Sequence, residues 1–149
     1  MPTSSRFAMA THILTLIAWA GHEPLKSEYI ACSVNTNPVV IRRILCELAR
    51  AGLVISQTGA GGGSRLARPS SEITLLDVYR AVEGRDVFAL HRQPPNPECP
   101  VGMNIEPVLV DVLENVGQSV ERVLATISIA NILNETQPRA VRKRRKPAR

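Results

Sequence analysis

Apolar and polar residues alternate along this chain with two different periods, and each change of period marks an element. From Arg6 to Ala20, Phe7, Ala10, Ile13, Leu14, Ile17 and Ala20 recur near helical spacing, and Gly21 closes the segment. His12 lies beside that stripe and reads as a partly buried structural histidine. A shorter helix is expected over Ser27 to Val34, with Ile30 and Ala31 inward and Cys32 buried as a small apolar thiol. Asn35-Thr36-Asn37-Pro38 then makes a turn. Asn37 can cap the next helix, and Pro38 fits its first position because that N–H needs no partner. In the helix from Val39 to Arg50, Val40, Ile41, Ile44, Leu45 and Leu48 fall on one side. Val39, Arg42, Arg43, Cys46 and Arg50 fall on the other. Gly52 ends it as a C′ glycine.

The period then shortens. Leu53 to Gln57 has strand propensity, Thr58 to Gly63 forms a Gly-rich tip, and Ser64 to Arg68 alternates like a returning strand until Pro69. Thr74-x-x-Asp77 resembles a capping box, with Ile73 and Val78 placed for a hydrophobic staple. It opens a helix from Leu75 to Glu83 that stops at Gly84 and should pack the hairpin onto the body.

Beyond Gly84 the pattern is interrupted. Four prolines between His91 and Pro100 exclude regular structure there. From Ile105 to Leu133 the aliphatic stripe returns through Val108, Leu109, Val112, Val116, Val120, Val123, Leu124, Ile127 and Leu133. A helix of that length would exceed about 40 Å at 1.5 Å per residue, too long for one small core to cover, so part of the stripe needs a partner. The organisation expected is a helix–turn–helix and hairpin unit over 1–84, a Pro-rich loop over 85–104, a partner-seeking helix over 105–134 and a disordered basic tail over 135–149.

Composition refines this picture. With 44% hydrophobic but only 3% aromatic residues, the core must be aliphatic. No apolar run is long enough to span a membrane, and Met1-Pro2-Thr3-Ser4 opens no signal peptide. The net charge of +5 is concentrated: seven positive charges fall between Arg139 and Arg149 with no acid among them. The remainder carries 11 basic and 13 acidic residues, so the body is mildly acidic. Its basic excess gathers locally, with five arginines against Glu47 between Val39 and Arg68. The tail should attract phosphates generically. Three cysteines spaced by 14 and 53 residues form neither a disulfide framework nor a zinc motif, which suits a reducing cytoplasm.

Helix, turn, helix and hairpin define a winged helix-turn-helix, whose second helix is shaped for a DNA major groove. The fold class expected is α+β, mainly α. Arginines on an isolated helix face are ordinarily just solvated; here the turn and the wing beside them point to double-stranded DNA. The glycine run lacks the Gly-x-x-x-x-Gly-Lys-Ser/Thr spacing and precedes a strand, so it is not a nucleotide loop. No nucleophile–base pair or carboxylate pair suggests an enzyme. The alternative class is a winged-helix protein-interaction module whose basic face is incidental.

Ser4 to Ala8, Ser33 to Arg43, the wing from Gly59 to Leu66 and Glu72 to Gly84 together resemble the Rrf2 family of bacterial transcription regulators, of the IscR, NsrR and CymR types. The Asn-Thr-Asn-Pro-Val-Val turn is most similar to the YwnA-like branch, and the resemblance runs from Met1 to Leu133. It implies a homodimeric repressor on an inverted repeat, dimerised through the long helix. Candidate DNA contacts are then Thr36, Asn37, Val39, Arg42, Arg43, Arg50, Arg65 and Arg68. Where many members carry an arginine before the first wing glycine, this chain has Thr58, so a minor-groove contact falls to Arg65 or Arg68. The family's cluster-binding members place three cysteines in the Pro-rich loop to ligate an iron–sulfur centre. This chain has Cys99 alone there, so the resemblance implies no cofactor. The effector is open between a small ligand, no signal, and thiol chemistry at Cys99 or Cys46. Glu98 is expected to raise the Cys99 pKa.

Overall fold

The computed structural model describes residues 4–84 and 86–144, with side chains to residue 137. Its order is α1 (Arg6–Ala20), α2 (Ser27–Val34), α3 (Pro38–Arg50), β1 (Val54–Gln57), β2 (Gly63–Leu66), a 3-10 turn (Ser70–Glu72), α4 (Leu75–Val82), α5 (Pro100–Ala125) and α6 (Ile129–Arg144). The strands pair antiparallel with Val54 opposite Leu66 and Gln57 opposite Gly63. This is the mainly helical winged helix-turn-helix that the pattern predicts, with a long C-terminal helix.

The core is aliphatic, as the scarcity of aromatics requires. Ile13, Leu14 and Ile17 of α1 meet Ile30 of α2, Ile41, Ile44 and Leu48 of α3, and Leu53, Ile73 and Val78, all fully buried or nearly so. Each such side chain contributes roughly 1.5–3 kcal/mol by leaving water. Phe7 meets Tyr79 edge-on at 6.1 Å on the periphery. Arg6 ties three elements together, pairing with Glu47 of α3 and donating from Nε to the Val82 carbonyl of α4 at 3.3 Å.

Local signals set the ends of these elements. Gly52 stands at φ +73°; its N–H donates to the Ala49 carbonyl at 3.0 Å, and Leu53 N–H donates to the Leu48 carbonyl at 2.9 Å. Those two bonds make a Schellman ending, with buried Leu48 and Leu53 as its apolar contact. At α4, Thr74 N–H donates to Asp77 Oδ2 at 2.9 Å and Asp77 N–H donates to Thr74 Oγ1 at 3.1 Å, a complete capping box. Ile73 and Val78 are fully buried beside it.

The structure differs from the expectation at several points. The long helix starts at Pro100, five residues early, because proline is compatible with the first helical position. It ends at Ala125, not Leu133. Ile127 and Ser128 are drawn into a bridge with the start of α4: Leu75 N–H donates to the Ile127 carbonyl at 2.8 Å and Ile129 N–H to the Ile73 carbonyl at 2.9 Å. A reciprocal Ser128–Asn131 cap then starts α6, which packs on α1 through buried Ile129. The α6 backbone continues helical to Arg144 where disorder is expected from residue 135. The rest of the expected tail, 145–149, lies outside the described residues. Cys32 is exposed: the eight-residue α2 buries only Ile30 and Ala31, and the next position turns outward. His12 is likewise exposed, with Nε2 3.0 Å from Ser33 Oγ.

Candidate nucleic-acid interface

The turn between α2 and α3 is built from backbone requirements. Asn35 takes the left-handed conformation at φ +62°, which asparagine tolerates better than most residues, and the next N–H, of Thr36, donates to the Ala31 carbonyl at 3.0 Å. Asn37 Oδ1 accepts the Val39 N–H at 2.8 Å, and Pro38 follows the cap as the first helical residue. The turn thereby launches α3 with Ile41, Ile44, Leu45 and Leu48 buried and Val39, Arg42, Arg43, Cys46 and Arg50 exposed. Val39, 47% exposed, is an apolar residue at the helix start with no core role.

The wing is held by a contact the sequence pattern does not reveal. Leu25 N–H donates to the Ser64 carbonyl at 3.1 Å and Ser64 N–H donates to the Leu25 carbonyl at 2.8 Å, so the residues before α2 act as a third, one-residue strand. Gly63 makes this approach possible. Its φ is +150°, and a Cβ there would lie 2.8 Å from the Leu25 carbonyl carbon. Between the start of α2, the outer face of α3 and the wing runs a cleft of about 460 Å³, lined among others by Lys26, Ser27, Glu28, Arg42, Cys46 and Thr58.

The candidate contacts divide by their partners. Arg42 pairs with Glu28 of α2 at 2.6 Å, and Arg68 reaches Asp77 of α4 at 3.6 Å. Arg43, Arg50 and Arg65 have no ion pair among the described residues. Thr36, Asn37, Val39, Arg42 and Arg43 share the first half of α3 and its turn, whereas Arg50 sits at the far end beside α4. Arg65 projects from β2 opposite Ile55 of β1. Lys26, Ser27 and Glu28, which the sequence reading passes over, join this surface because α2 and α3 are packed together.

Cys99 caps α5 and is exposed. The neighbouring backbone N–H groups of Gly102 and Val101 hold its thiol below the ordinary range, opposite to the rise expected from Glu98. Its loop is ordered by Asn96, whose Oδ1 accepts the Glu98 N–H at 2.9 Å and whose carbonyl accepts the Cys99 N–H at 3.3 Å. Cys46 faces the cleft beside the wing. Cys32 and Cys46 lie on α2 and α3 and Cys99 at the start of α5, and no three His, Cys, Asp or Glu side chains gather for a metal among the described residues. The donor set present does not fit an iron–sulfur centre. No described helix is long and apolar enough to cross a membrane.

Helix α5 is the other unusual surface. It runs 26 residues, about 39 Å at 1.5 Å per residue, and buries none of them. Val112, Val116, Val120, Val123 and Leu124 line an apolar groove along it, and Val101, Met103 and Val108 are exposed nearer its start.

This combination defines a winged-helix DNA-binding transcription regulator. The family model Rrf2, described as an iron-dependent transcriptional regulator, matches residues 3–135, and the chain belongs to that family. It is 44% identical over 132 residues to YwnA of Bacillus subtilis, named as a candidate HTH-type transcriptional regulator; the match covers 88% of this chain and 96% of that one. Among solved structures, a candidate DNA-binding protein is 40% identical with a TM-score of 0.70, covering 87% of this chain and 99% of that one. IscR of T. potens is 25% identical, also with a TM-score of 0.70, covering 100% of this chain and 93% of the other. The family is one of transcription regulators, not of enzymes.

Proposed function

We propose that the chain is a homodimeric repressor that binds an inverted repeat, with α3 in the major groove and the wing beside it. Thr36, Asn37, Val39, Arg42 and Arg43 contact one half-site, Arg65 or Arg68 reaches the adjacent minor groove, and Arg50 meets a flanking phosphate. The observation that carries this reading is the coexistence of an exposed, capped α3 with a long helix that buries none of its residues. In this reading α5 crosses its twin, residues 1–84 form the reading head, and the loop between them transmits a signal in the cytoplasm. Thiol chemistry at Cys99 suits that loop, because Cys99 is exposed and its pKa lies below the ordinary thiol range. Cys46 suits a direct block, since it faces the cleft beside Arg42.

The test is selection of duplexes from a random pool by the full chain, followed by footprinting of the enriched sequence. Two symmetric half-sites with centres one helical turn or a multiple apart are expected. Enrichment of a single half-site bound by one protomer, or no enrichment, would overturn the reading.

A further inference from the structure

Arg42 leaves α3 toward the first turn of α2. Its Nε donates to Ser27 Oγ at 3.2 Å and its Nη2 donates to Glu28 Oε1 at 2.6 Å. A guanidinium is a planar fork with five N–H groups. Nε–H and one hydrogen of Nη2 share its side edge, and both of these are engaged by α2. The end edge, formed by Nη1 and the second hydrogen of Nη2, remains directed away from those acceptors. That edge can donate in parallel to guanine O6 and N7.

The charge balance points the same way. Glu28 is ionised at neutral pH, its carboxyl held below the usual range by a backbone N–H and then by Arg42. It therefore offsets the Arg42 charge, while Arg43, Arg50 and Arg65 have no ion pair among the described residues. An anion on a groove-facing surface opposes phosphate binding in general. A half-exposed ion pair by itself adds little to folding stability, so its consequence lies where DNA would cover it.

We infer that Glu28 is a specificity-determining positioning residue: with Ser27 it aims the outer edge of Arg42 at a base and keeps that arginine from the phosphates. The inference rests on α3 being the reading helix. Arg42 then contributes to discrimination, and Arg43, Arg50 and Arg65 to general affinity.

The experiment compares wild type, Glu28→Gln, Arg42→Ala and the double variant. Each is measured on the duplex selected by wild type and on a scrambled duplex of the same length, across a salt series. Glu28→Gln should lower the ratio of selected to scrambled affinity roughly tenfold or more. It should also tighten scrambled-duplex binding and steepen the salt slope by about 0.9, as one arginine becomes a phosphate ligand. Arg42→Ala should lower the ratio without steepening the slope, and the double variant should lose no more discrimination than Arg42→Ala. Thermal unfolding should be nearly unchanged by Glu28→Gln, which separates positioning from a fold defect. If Glu28→Gln keeps the wild-type ratio and slope while Arg42→Ala loses discrimination, Glu28 has no such role. If Arg42→Ala itself keeps the ratio, Arg42 is not a base reader and the inference falls with that assignment.

Discussion

Ile44 of α3 is fully buried, while Val112 of α5, a β-branched aliphatic residue of similar kind, is half exposed. The same contrast runs through the two regions they belong to. In α1 to α4 the apolar face of each helix finds its complement within the chain, and caps, a Schellman ending and the Arg6–Glu47 pair close the unit. In α5, 26 residues present an aliphatic stripe and none is buried. Both regions obey the same preference for removing apolar surface from water. The first satisfies it within the chain, with Ile129 of α6 completing its core, whereas the stripe of α5 buries no residue.

The contrast can be broken most forcefully in the body. Ile44→Ala should cost about 2–5 kcal/mol of unfolding free energy, because the tightly packed wall around it cannot collapse fully. Chemical denaturation followed by circular dichroism reads this directly, and a loss near zero would show that α3 is not anchored as described.

Much of the body was legible beforehand for a physical reason: its boundaries depend on near neighbours. Asn37 caps α3 two residues on, Gly52 ends it, and Thr74 and Asp77 bond within one turn. The features that escaped depend on distant partners. The interruption at Thr126–Ser128 is set by backbone bonds to Ile73 and Leu75, some 50 residues earlier in the chain. The Ser128–Asn131 cap was readable as a signal, but it lies inside an otherwise continuous aliphatic run. Glu28 and Arg42 meet across the α2–α3 packing, a contact no local pattern encodes. Cys32 is exposed because the burial of a short helix is decided by its neighbours rather than by residue type.

A smaller effect tests the junction between the two regions. The N–H groups of Val101 and Gly102 favour the Cys99 thiolate in the folded chain. Ionisation therefore stabilises the fold once pH exceeds the unfolded thiol value, near 8.5, and that contribution is lost as pH falls through the lower folded value. Alkylation of Cys99, followed by mass spectrometry, should have a pH midpoint below that of a free cysteine peptide. A midpoint equal to the peptide's or above it would mean that α5 does not begin with Cys99 as its cap.

The central question is whether α5 needs a second copy of itself. Sedimentation equilibrium of the wild-type chain and of the Val116→Lys/Val123→Lys variant, each checked by circular dichroism, measures this most directly. The wild-type chain should be a dimer, and the variant monomeric while the α1–α4 body keeps its helical signal. A monomeric wild type, or a variant that still dimerises, would contradict the proposed dimer through α5.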